Sequence, residues 1–112
     1  RIMNRFGSML KNRVKITGSS DWYITPLDVT KSLSAALNHH NVAERLDPAQ
    51  AIDIYTKNAA WLSHDEKLRG EIVAGKDADF TITNYNISDG IDLDTAKVLG
   101  VIKRGSLVYG KF

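Results

Sequence analysis

Apolar residues recur at helical spacing where the chain begins. Ile2, Phe6 and Leu10, with Met3 and Met9 beside them, form one stripe over about three turns. Gly7 interrupts that stripe and lowers its helix propensity. The spacing then changes: Val14 and Ile16 alternate with Lys15 as in a short strand, and Gly18-Ser19-Ser20 is too small and turn-prone to prolong it. A helix is predicted to feed a strand. Thr25-Pro26-Leu27-Asp28 then reads as a helix start, with Thr25 as cap, proline at the first helical position and Asp28 at capping-box spacing. Val29, Leu33, Ala36 and Leu37 give that helix its buried side, which fades at Asn38-His39-His40-Asn41.

Asp47-Pro48-Ala49-Gln50 repeats the start signal, and Ala51, Ile52, Tyr55, Ala59 and Leu62 mark the buried side of a further helix running to about Trp61. From Gly70 the period is two. Ala78, Phe80 and Ile82 alternate with Asp79, Thr81 and Thr83, and Glu71-Ile72-Val73 is a shorter strand candidate before a turn at Ala74-Gly75-Lys76. Asn84 to Thr95 is polar and predicted as loop. Val98 to Lys103 and Leu107 to Tyr109 flank Arg104-Gly105-Ser106 as a terminal hairpin. The expected fold is α+β: helix, strand, two helices, then a small, mostly antiparallel sheet. A single strand between helices cannot satisfy its own backbone, and such a sheet leaves open edges. The strand is therefore expected to belong to a larger sheet and the terminal strands to a second one, both completed by other chain.

Composition narrows the classes. With 112 residues, 25% charged and 43% hydrophobic, the chain is one domain or part of one, and disorder is not expected. There is no cysteine, which excludes disulfides and thiolate metal sites. No apolar run reaches the roughly 20 residues of a membrane span and no signal-peptide pattern opens the chain, so no membrane partner and a cytoplasmic location are expected. The chain opens at Arg1 already inside an amphipathic pattern, which suggests a cut from something longer. The net charge is +2, with Arg1, Arg5, Lys11, Arg13 and Lys15 before any acidic residue. Phe6 is the only aromatic among them, so a solvated helix face is the reading and no nucleic-acid partner is expected.

Chemistry enters at Asp21. A carboxylate just past a strand end stands where barrels of parallel strands keep catalytic groups, yet Asp in a Gly/Ser turn also serves as an ordinary turn residue. His39-His40 and His64-Asp65-Glu66 are the other groupings with metal-ligand chemistry. Adjacent helical residues point about 100° apart, so neither set converges on one ion, and both are read as surface residues near helix ends. Lys76 and Asp79 read as turn and sheet-surface residues, and Trp61 as core or interface packing.

Gly18-Ser19-Ser20-Asp21-Trp22, Thr56-Lys57-Asn58-Ala59-Ala60, the segment from Gly70 to Phe80 and the final hairpin, in that order, resemble the C-terminal part of metal-dependent amidohydrolases, nearest the amidohydrolase-3 branch with its D-aminoacylase-like enzymes. The resemblance implies that residues 1–65 are the C-terminal end of a (β/α)8 barrel, with the strand at Val14 as its eighth, and that residues 66–112 belong to a composite β-sandwich. It implies hydrolysis of non-peptide carbon–nitrogen bonds in small amide-type substrates. It assigns Asp21 as metal ligand and general base, with Trp22 as a neighbour of the substrate. The implied cofactor is a divalent metal, zinc being the expected ion. The family's paired histidines, bridging lysine or acid and later histidines have no counterpart in this stretch. Tyr23 also stands where proline often follows the tryptophan. The chain by itself is thus expected to hold no metal and to be inactive, its main partner being the missing N-terminal part of the same protein. The alternative is a non-catalytic module that pairs through exposed sheet edges.

Both readings leave surfaces that want partners, so the isolated chain is expected to form homo-oligomers. Sedimentation should show mass rising with concentration; a compact monomer at every concentration would contradict the expectation.

Overall fold

The computed structural model describes residues 3–111. Arg1 and Ile2, which the basic cluster and the first apolar stripe include, lie outside them. Helix α1 (Phe6–Lys11) is shorter than the predicted three turns, and Arg5 supplies no side-chain cap. One of the unpaired N–H groups that begin any helix is here met by a distant residue. Ser8 donates its backbone N–H to Glu44 Oε2 at 2.7 Å, and its hydroxyl donates to Glu44 Oε1. Glu44 belongs to a 3₁₀ turn, Val42–Glu44, and is buried. Gly7 makes this approach feasible, because a Cβ there would lie 2.7 Å from the Ala43 carbonyl oxygen and 2.9 Å from Glu44 Cα. The glycine that weakens the helix is what lets it dock.

Helix α2 (Val29–Leu37) starts three positions beyond Pro26. Asp28, not Thr25, is its cap and accepts from Lys31 N–H at 3.2 Å. Thr25 instead donates its hydroxyl to the Ser20 carbonyl, a local bond that competes with capping. Val29, predicted buried, is 53% exposed. Helix α3 (Pro48–Asp53) has the predicted capping box: Gln50 N–H donates to Asp47 Oδ1 at 2.9 Å, and Asp47 N–H donates to Gln50 Oε1 at 3.1 Å. The single helix expected to reach Trp61 is broken, however, and α4 (Lys57–Leu62) follows as a separate helix. The break lies at Thr56, with φ −124° and ψ −89°, whose hydroxyl donates back to the Ile52 carbonyl at 2.8 Å. Such back-bonding by a threonine bends helices.

Ala36, Leu46, Ala51 and Ile54 form the buried core, with Phe6, Leu10, Ile16, Leu33 and Tyr55 packed around it. Ile16 thus reaches the core, but residues 14–20 form no strand. A strand exists only with a partner, and none is present for this segment among the described residues. The same holds for Glu71-Ile72-Val73, where Ile72 is 83% exposed. The sheet itself is antiparallel in the order β1 (Phe80–Thr83), β2 (Val98–Lys103), β3 (Ser106–Gly110). Phe80 pairs with Ile102, and Lys103 with Ser106. Arg104 and Gly105 close the predicted hairpin with φ 49° and 77°, the positive angles of a turn that matches strand twist. The polar loop before β2 holds a 3₁₀ turn, Ile87–Asp89, and a further turn in which Ala96 N–H donates to the Asp92 carbonyl at 2.8 Å. Its Ile87 packs on the helical core, and Tyr85 Oη lies 3.2 Å from Thr30 Oγ1 of α2. Arg69 adds an ionic tie, with Asp77 at 3.4 Å and Asp65 at 3.7 Å.

The Ser8 bonds, side chain first and backbone second, hold the Glu44 carboxyl below its ordinary value of 4.5. A depressed carboxylate adds stability that is complete above the unfolded-state value and is lost as pH falls through the folded one. Stability of the chain should therefore fall below about pH 4.5, and Ser8→Ala should flatten that part of the curve. Urea midpoints between pH 3 and 6 read this out; identical slopes for wild type and Ser8→Ala would contradict it.

Candidate functional site

Three contacts fasten the segment that leads to Asp21. Gly18 N–H donates to the Ile54 carbonyl at 2.9 Å, at the end of α3. The Asn58 side-chain amide, from the first turn of α4, donates to the Ile16 carbonyl at 3.0 Å. The Tyr55 ring lies against Gly18 so closely that a Cβ at 18 would enter the ring. All three contacts come from the α3–α4 junction, so the helix break at Thr56 also shapes the seat for residues 16–18.

Beyond Gly18 the chain is tied locally. Asp21 N–H donates to Ser19 Oγ at 3.2 Å, and the Asp21 carbonyl accepts from Ile24 N–H at 2.7 Å. Asp21 thus opens a turn, with φ 49°, a left-handed conformation that aspartate adopts more readily than most residues. Asn4, Arg13, His64 and Arg104 share positive φ, so the angle alone does not single Asp21 out. Asp21 is exposed and Trp22 is 65% exposed beside it. Tyr23, Ile24 and Leu27 are more exposed still, an apolar run facing water. Next to this turn a shallow cleft of about 260 Å³ is lined by Ser19, Ser20, Leu27, Asp28, Val29, Ser32 and Tyr55. Its size falls just below the range of about 300–1,000 Å³ usual for small-molecule sites.

The other candidates stand apart from Asp21. His39 corrects the surface reading: it is buried, its Nε2 lies 3.2 Å from the Met3 carbonyl, and its Nδ1 accepts from Asn41 N–H at 3.1 Å. Phe6 meets its ring edge-on at 6.0 Å, which explains the burial. His40 and His64 are exposed. Lys76 donates to Glu71 at 2.6 Å and to the Glu66 carbonyl at 2.7 Å, and this contact holds the Glu71 carboxyl below its ordinary value. Asp53 at 2.8 Å likewise raises the Lys57 ammonium. Asp79 accepts the Arg104 N–H at 2.8 Å and so supports the hairpin turn. Trp61 is 41% exposed, and Lys15 Nζ sits 4.4 Å over its ring.

Among the described residues no three His, Asp or Glu side chains gather as a metal site. A catalytic zinc takes about three protein ligands and an open position, so the lone Asp21 carboxylate does not fit one by itself. Sequence reading named Asn58 only within the Thr56–Ala60 resemblance, without a role of its own, and passed over Glu44. Asn58 gave one signal: it falls four residues after Ile54 and seven after Ala51, a polar residue in the buried phase of the helix pattern.

Comparison with known proteins bears on this arrangement. A family profile described as the amidohydrolase family matches residues 1–109. YtcJ of Bacillus subtilis strain 168, which carries an amidohydrolase name, is 28% identical over 116 aligned residues, covering 93% of this chain and 22% of that protein. The crystal structure of an amidohydrolase from Thermotoga maritima MSB8 superposes with a TM-score of 0.75 at 25% identity, covering 95% of this chain and 26% of that one. The chain thus spans about a quarter of the length of these relatives.

The Gly18–Tyr55 contact is open to a direct check. Gly18→Ala should cost about 1–3 kcal/mol by overpacking, read as a lower urea midpoint at unchanged m-value. In a Tyr55→Ala background the same change should cost only a few tenths of that. An equal cost in both backgrounds would show that the ring is not the obstacle.

Proposed function

The chain belongs to the amidohydrolase family, and from that premise we propose that it is the C-terminal portion of a metal-dependent hydrolase acting on non-peptide carbon–nitrogen bonds of small amide-type substrates. The match along residues 1–109 carries this reading. In it, residues 1–65 end a (β/α)8 barrel and residues 66–112 contribute to a β-sandwich, each completed by the remainder of the protein. Asp21 is the general base and one metal ligand. Its carboxylate takes a proton from the attacking water and returns it to the leaving nitrogen, so that one group serves both halves of the reaction. The seat at the α3–α4 junction supports this role, since a base has to be held within hydrogen-bond reach of the proton it removes. Trp22, exposed beside it, offers an apolar wall to the substrate.

In the whole protein Asp21 would be one of the residues holding a divalent metal, with zinc as the expected ion, which would supply Lewis acidity and lower the pKa of a water. The residues described here do not make up its donor set, and the chain alone is proposed to be inactive. Exposure of every residue of β3 favours a second reading, a module that pairs through that edge.

Elemental analysis and a panel of N-acyl amino acids, applied to this chain and to the full-length protein that carries it, separate the two. Metal and turnover should occur in the full-length protein only, and Asp21→Asn should lower kcat by about 10²-fold or more. A full-length protein without metal or turnover would leave the pairing module standing.

A further inference from the structure

Asn58 is a buried amide in the first turn of α4. It does not cap its own helix, which begins at Thr56 without any side-chain cap bond. Its Nδ2 donates instead to the Ile16 carbonyl, 42 residues away in sequence, at 3.0 Å. Burying an amide is costly unless its partner is present, and here the partner is the backbone just ahead of Asp21. From Gly18 onward the chain is tied by one bond to the end of α3 and by bonds within its own turn. Gly18 is bound to Ile54, Asp21 N–H to Ser19, the Asp21 carbonyl to Ile24 and the Ser20 carbonyl to Thr25. Ile16 and Gly18 are thus the two points at which the α3–α4 junction holds the chain ahead of Asp21, and loss of the Ile16 bond would leave the direction of the Asp21 turn to Gly18 alone.

We propose that Asn58 is a positioning residue for Asp21, fixing through the Ile16 carbonyl where the catalytic carboxylate stands. The proposal rests on the reading of Asp21 as the general base. In this role Asn58 acts on the Ile16 carbonyl and not on the reacting groups. Its contribution is geometric, and a misplacement of about 1 Å in such a group can cost about 100-fold in rate.

The test uses the full-length protein and the nearly isosteric Asn58→Asp, which replaces the donor with a carboxylate, beside Ala35→Gly, at an exposed position inside α2 and outside the core that Ile16 packs on, as a control that weakens the helix through its backbone. At a temperature well below the melting of every variant, Asn58→Asp should lower kcat by about 10- to 100-fold with KM within about twofold. Amide exchange of the peptide spanning 14–20 should be faster in Asn58→Asp alone. Ala35→Gly should lower the melting temperature and leave kcat and that peptide as in wild type. If kcat falls only in proportion to lost stability in both variants, or exchange at 14–20 does not change in Asn58→Asp, the positioning role is overturned while Asp21 keeps its own. If Asp21→Asn keeps wild-type turnover, the reading of Asp21 fails first, and the proposal falls with it for that separate reason.

Discussion

Backbone polar groups that lie near a core have to find partners, and the segment from 14 to 20 must do so without a neighbouring strand among the described residues. Ile16 commits the segment to the core, while its own carbonyl and the Gly18 N–H need bonds. Asn58 and the Ile54 carbonyl supply them from the α3–α4 junction. The consequence runs both ways. Helix α3 has to stop near Ile54 for its carbonyl to be available outward, and Gly18 has to lack a side chain for Tyr55 to close over it. The break at Thr56, a local defect by helix propensity, is the condition for this seat.

A second long-range tie follows the same logic at the other end of the helical layer. Helix α1 has only six residues, too few to persist alone, since isolated helices shorter than about 12–15 residues are marginal in water. Its start is completed by Glu44, and its Gly7 removes the obstacle to that contact. Packing and a borrowed cap stand in for length. Both ties place a polar side chain in the interior with its partners already present, which is the circumstance in which such burial can be sustained.

These features decide how much could be read in advance. The Asp47–Gln50 capping box and the Arg104-Gly105 hairpin were legible because each is closed within a few residues, where chemistry and spacing coincide. Thr25 misled because its hydroxyl had a nearer acceptor in Ser20, which left Asp28 as the cap. The strand at Val14 was legible as an alternation but not as a strand, because pairing depends on what lies alongside and not on the segment. Ser8–Glu44 and Asn58–Ile16 span 36 and 42 residues, and no local rule reaches that far. At the candidate site, the position of Asp21 after a Gly/Ser turn was readable. The residues that hold it there were not, apart from the misplaced polarity of Asn58 in its helix phase.

The same geometry bears on what Asp21 can do. Surrounded by water, a carboxylate attracts a unit charge at 4 Å with only about 1 kcal/mol, against about 4 kcal/mol at the effective dielectric near a partly covered protein surface. Asp21 now stands in the first condition, and so do Trp22, Tyr23 and Ile24 beside it. An apolar run of this kind, adjacent to one charged group, links two effects. Any surface that covers the run for hydrophobic reasons also excludes water from Asp21 and strengthens its electrostatic interactions. Holding residues 16–18 firmly matters under that coupling, because a carboxylate that gains strength by being enclosed gains it only if it already points where the reacting groups will be.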